Sequence, residues 1–92
     1  MKGVINMMSI VCLDIGKERH YLRSTFPVNW SIYVSEARTY RDEEEARFQL
    51  NARFAHVSSS LGDSMDYIRS IRILTYEGEK LISDNYYLKR EE

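Results

Sequence analysis

The sequence predicts an α+β fold: one antiparallel sheet of about five strands with a single α-helix packed on one face, in the order β-β-β-α-β-β. Three observations carry that prediction. Only one long segment, Asp42 to Gly62, has helical period. Strand-like segments flank it on both sides. The links between segments are short, which favours neighbouring antiparallel pairs.

The first strand is expected from Ile5 to Ile15. Its odd positions read Ile, Met, Ser, Val, Leu, Ile, while the even ones include Asn6, Cys12 and Asp14, the alternation of a strand with one buried face. Gly16-Lys17 is a turn signal. A second strand follows from Arg19 to Phe26, with His20, Leu22 and Phe26 on one side and Tyr21, Arg23 and Thr25 on the other. The two should form a hairpin. Pro27, the single proline, should end or edge the second strand because it lacks a backbone donor. The third strand is expected from Trp30 to Tyr40, with Trp30, Ile32 and Val34 sharing a face and a more polar second half from Glu36.

The helix has clear punctuation. Asp42 suits the N-cap, and Glu45 lies three residues on, where a side chain can reach back. Glu43, Glu44 and Glu45 set negative charge at the positive end of the helix dipole. Gly62 is the natural stop, and Ser58 to Ser60 weaken the last turn. Ala46, Leu50, Phe54, Val57 and Leu61 fall in one narrow sector and should face the core. Phe48 lies nearly opposite, beside Ala52 and Ala55.

After a loop at Gly62-Asp63-Ser64, Tyr67 to Tyr76 reads as a strand whose alternation is imperfect: Ile71 and Ile73 share a face with Tyr67, while Ile68 and Leu74 point the other way. A bulge or burial on both faces would produce this pattern. Glu77 to Lys80 is a turn around Gly78, Leu81 to Leu88 is the last strand, and Lys89 to Glu92 is a charged tail.

Ninety-two residues make one domain, and 43% hydrophobic with 29% charged residues is the composition of a soluble globular protein. The lone Cys12 makes no internal disulfide, so a reducing, cytoplasmic setting is the simplest. The apolar N-terminal run is broken by Asn6 and Ser9 and is too short to span a membrane. The net charge of −1 makes a dedicated nucleic-acid binder an unfavoured reading. Charge is nonetheless polarised. Lys17, Arg19, Arg23, Arg38 and Arg41 against Glu18 and Glu36 give residues 17–41 a net +3, whereas residues 42–61 and 62–92 each carry −2.

No cofactor or metal signature is present. His20 and His56 lack ligand spacing, the serines at 58–60 lack nucleophile-elbow glycines, and the four glycines stand apart. Seven tyrosines are the other anomaly, and a sheet face carrying Tyr21, Tyr33, Tyr67 and Tyr87 is one arrangement they allow. Tyrosine is also simply a good strand former. Tyr and Arg anchor protein interfaces, and Tyr beside Arg stacks bases.

The expectation is a non-enzymatic protein-binding module. Its candidate contact residues are Phe48, Ala52 and Ala55 on the outer helix face, with Tyr21, Tyr33, Arg23 and Arg38 on the basic strands. The partner is another protein, or a second copy in a weak homodimer through Phe48. Small cytosolic chains of this kind are common among phage or mobile-element products that inhibit a host complex, such as anti-CRISPR proteins; that is an analogy of size and composition. The alternatives are a nucleic-acid binder using the basic, Tyr-bearing strands, and an enzyme with a dispersed site.

Overall fold

A computed structural model describes residues 6–90; Ile5 and the last two residues of the charged tail lie outside them. Five strands form one antiparallel sheet: β1 (Met7–Ile15), β2 (Glu18–Thr25), β3 (Val28–Ser31), β4 (Ile68–Glu77) and β5 (Lys80–Lys89), in the spatial order β3-β2-β1-β4-β5. The α+β class and the single sheet are as the sequence predicts.

The β1–β2 and β4–β5 hairpins each close through two residues. Gly16 (φ 58°) and Gly78 (φ 64°) take the first central position, a left-handed conformation that only glycine adopts cheaply. The expected helix is two, α1 (Glu43–Ala52) and α2 (Phe54–Leu61), interrupted at Arg53. There the guanidinium leaves the helix line to reach the Thr25 carbonyl (Nε 3.3 Å, Nη2 3.1 Å) and to stack 4.8 Å over Phe26. Asp42 caps α1 by accepting from the Glu45 N–H at 2.8 Å, and Glu45 accepts in turn from the Arg41 N–H at 2.7 Å. α2 runs past the three serines through Leu61, with Gly62 (φ 53°) as its C-cap.

The core lies between the helices and one sheet face. Ala46, Leu50 and Val57 are fully buried against Val11, Leu13, Leu22, Ile71 and Ile73, with Phe54 and Leu61 half-buried at the margin. The predicted helix stripe is therefore the packed one.

Three expectations are corrected. The third strand is only Val28–Ser31. The Ser31 hydroxyl accepts the Tyr33 N–H at 3.0 Å and donates to Glu36, turning the chain into a short 3₁₀ segment at Val34–Glu36; a side chain bonding locally competes with the ladder. Ile32 and Val34 are consequently exposed and do not share a face with half-buried Trp30. Phe26 is not a strand residue: it sits with Pro27 in the two-residue β2–β3 turn, 83% exposed. Tyr67 belongs to a 3₁₀ segment, Gly62–Tyr67, and not to β4.

The imperfect alternation of β4 has both expected causes. A register shift opposite Asp14 and Ile15 places Ile68 in the helix-side core, and Leu74 is buried on the other face beside Ile10 and Cys12. Neither α1 nor α2 packs on that second face. Part of it is covered by Ala37, from the β3–α1 connection. This connection also fills the gap where β1 and β2 diverge: Arg38 N–H bonds the Leu22 carbonyl, and Tyr40 exchanges two 2.8 Å bonds with Ser9.

At one edge of the sheet, β5 carries two register shifts, at Tyr87 and at Ile82, and lysines at both ends. Arg47 of α1 donates to the Tyr86 carbonyl at 2.9 Å.

Candidate functional site, a cationic cleft on the open face

Cross-strand register lays the open face out in rows. Arg19, Asp14, Ser70 and Lys89 stand opposite one another across β2, β1, β4 and β5. The next row is Tyr21, Cys12, Arg72 and Tyr86, and beyond it come Ile10, Leu74 and Asp84. Met8, Tyr76 and Leu81 form the far row, at the apolar end.

The first row and Arg72 and Tyr86 of the second, with the β1–β2 turn, Arg69 and Arg90, line a cleft of about 760 Å³. Its charged residues are Lys17, Arg19, Arg69, Arg72, Lys89 and Arg90 against Asp14 and Glu18, a net of +4. The whole chain carries −1, so the residues outside the cleft together carry −5.

Asp14 is the hub. It accepts from Arg19 Nε at 2.9 Å, Arg72 Nε at 3.0 Å and the Ser70 hydroxyl at 3.1 Å. Burial opposes its charge, but the hydrogen bonds from Arg19 and Ser70 and the charge of Arg72 outweigh burial and hold the carboxyl below the usual carboxylate range. Arg72 extends the network to Asp84 at 2.7 Å and points a second nitrogen at the Cys12 sulfur, 3.8 Å away. Burial, and then Asp14, push the Cys12 thiol up, so it remains a neutral thiol.

Glu18, the other acid, turns to His20 at 3.1 Å, on the same side of β2 as Leu22 of the helix-side core. Among the described residues, Lys17, Arg69, Lys89 and Arg90 then have no carboxylate within ion-pair distance. Lys89 lies 5.0 Å over the Tyr86 ring, and the Arg90 guanidinium donates to the Asp66 carbonyl at 3.4 Å. The cleft thus has a neutralised floor and an unneutralised cationic rim.

A second, apolar cleft of about 480 Å³ lies on the helix side between Leu13, Ile15, Trp30, Leu61 and Tyr67. The Trp30 indole N–H donates to Ser60 at its edge, at 3.1 Å. Among the described residues no group of three or more His, Cys, Asp or Glu is placed to hold a metal ion, and no helix is long and apolar enough to cross a membrane.

The residues expected to bind a partner are scattered. Phe48 is 68% exposed on α1, with Ala52 and Ala55 exposed on either side of the Arg53 break. Arg23 and Arg38 are both exposed along the β2 margin, and Arg38 also lies 5.5 Å over the Tyr40 ring. Tyr33 is 61% exposed beyond β3. Tyr21 reaches the open face, half-buried beside Cys12. No single sheet face carries the four tyrosines: Tyr87 packs on Phe54 and donates to Asn51 on the helix side, and Tyr67 is outside the strands. The cleft's own residues are ones that segment charge conceals, because Arg69, Arg72, Lys89 and Arg90 belong to the acidic final third. The signal for them is Arg72, a cation set between Ile71 and Ile73 in a strand that is otherwise rich in isoleucine.

No protein family, curated protein or solved structure matches this chain.

Proposed function

We propose that this protein is a non-enzymatic protein-binding module whose working surface is the open face of the sheet. The observation that supports this is the division of that face into two ends. One end is the cationic cleft. The other exposes Met8 (38%) and Leu81 (47%) beside Tyr76. Six residues along β1 separate Met8 from Asp14, about 20 Å of strand. Arginine and tyrosine over an apolar patch are the chemistry of interface anchors. The groups suited to catalysis are occupied elsewhere: Asp14 by three donors, His20 by Glu18, and Cys12 by burial. The partner is a protein with an acidic surface next to an apolar one. A small inhibitor of a host complex, of the kind phages and mobile elements carry, would act by covering such a surface.

The test is capture from host lysate with the parent, Leu81→Glu and Lys89→Glu, using circular dichroism as the folding control. Both variants should lose the partner that the parent retains. Parent-like capture by both removes the open face from the interface.

The cations of the cleft also favour a second reading, a nucleic-acid binder. The −5 carried by the rest of the chain weighs against it, because an extended polyanion must run past that charge.

A further inference from the structure

We infer that the cationic cleft is a phosphoryl-group site, and that it receives a phosphorylated side chain of the protein partner. The inference rests on the protein-binding reading above.

The first argument is the donor set. Lys17, Arg69, Lys89 and Arg90 come from the β1–β2 turn and from one end of β4 and β5, and none has a carboxylate partner among the described residues. Arg19 commits its Nε to Asp14, and its terminal nitrogens have no hydrogen bond among the described residues. Asp14 holds that side chain in place, and Arg72 behind it secures Asp14. The rim is thus partly pre-organised before anything binds, which lowers the ordering cost of binding.

The second argument is the match of charge. A phosphate monoester carries about −1.5 to −2 at neutral pH and three strong acceptor oxygens. A carboxylate offers one charge and two oxygens. A cleft of net +4 lined by three arginines besides Arg72 suits the former, since guanidinium groups bind phosphate through paired donors.

The third argument is confinement. Six cations line one cleft of about 760 Å³, and the residues outside it carry a net −5. That arrangement suits a point polyanion on a protein segment over a nucleic-acid backbone.

The experiment is amide chemical-shift titration of the ¹⁵N-labelled protein. The probes are O-phospho-L-serine, glutamate at matched ionic strength, and a single-stranded oligothymidine. O-phospho-L-serine should move the Gly16, Lys17, Ser70 and Lys89 amides saturably. Glutamate should bind about tenfold more weakly, reflecting its smaller charge. The double variant Arg69→Gln/Lys89→Gln should lose about tenfold in phosphoserine affinity, the equivalent of one charge-assisted contact, with its spectrum otherwise unchanged. Three results overturn the inference: no saturable shift at the cleft, equal binding by glutamate, or phosphoserine binding that the double variant keeps. Oligothymidine binding tighter than phosphoserine, with steep salt dependence, overturns it in favour of nucleic acid. If the phosphoserine arm fails while Leu81→Glu and Lys89→Glu still abolish capture, only the phosphoryl assignment falls. If capture is also unaffected, both readings fall.

Discussion

Arg72→Met removes the cation at the floor of the cleft while keeping a flexible apolar stem. The Arg72 side chain is 15% exposed and spans two carboxylates, Asp14 at 21% and Asp84 at 38% exposure. Deleting one partner of a fully buried pair costs about 3–5 kcal/mol. Asp14 is not fully buried and retains Arg19 and Ser70 as donors, so its share falls to about 1.5–2.5 kcal/mol. The Asp84 pair is near the surface and contributes about 0.5 kcal/mol. The expected loss is about 2–3 kcal/mol, which lowers Tm by roughly 8–24 °C in a domain of this size. Urea unfolding followed by Trp30 fluorescence at neutral pH measures it, with Asp84→Asn as the control at about 0.5 kcal/mol. High salt should leave most of the loss in place, because screening acts chiefly on exposed charges. An Arg72→Met protein within about 0.5 kcal/mol of the parent, or an Asp84→Asn loss of equal size, would refute the assignment of Asp14 as the hub.

The other predictions concern packing, pH and association. Leu50→Ala, at a site with no exposure, should cost about 2–5 kcal/mol in the same assay; an effect within error would mean the helix does not pack as described. Tyr40 buries a hydroxyl that has no hydrogen-bond partner among the described residues, so Tyr40→Phe should be neutral or stabilising by up to about 1 kcal/mol, and a clear loss would show that the hydroxyl is satisfied. The folded pKa of Asp14 is depressed, so its stabilisation is complete above an unfolded value near 3.9 and is lost as pH falls through the lower folded value. Unfolding midpoints measured from neutral to acid pH should therefore drop more shallowly for Asp14→Asn than for the parent, and parallel curves would contradict this. Sedimentation over a concentration series tests self-association through Phe48: Ala52→Glu should shift any dimer to monomer with circular dichroism unchanged, and a parent monomeric throughout eliminates the homodimer.

Local periodicity made much of the fold legible. The 3.6-residue spacing of Ala46, Leu50 and Val57 and the odd positions of β1 identify the two surfaces that meet in the core. Gly16 and Gly78 mark both tight hairpins. Less legible were features set by single side-chain bonds, such as Ser31 ending β3 after four residues and Arg53 interrupting the helix. The cleft was hidden for a different reason. Asp14 meets Ser70 and Arg72 across 56 and 58 residues of sequence, and those contacts are set by the register in which β4 pairs with β1. Charge counted along contiguous segments averages such neighbours away, assigning Arg69 to Arg90 to an acidic region when they complete a basic site.

The outer margin of β5 has a consequence for the protein at high concentration. A straight ten-residue edge would offer a continuous row of free amides and carbonyls, on which a second chain could dock and then a third, growing into a fibre. The extra residues at Ile82 and Tyr87 break that row into short, mutually rotated pieces, and Lys80 and Lys89 repel their counterparts on an incoming edge. Arg47 already occupies the Tyr86 carbonyl between them. The strand is thereby a poor template for polymerisation, and the molecule keeps Leu81 and Tyr86 uncovered on the adjoining face while this edge resists joining a larger sheet.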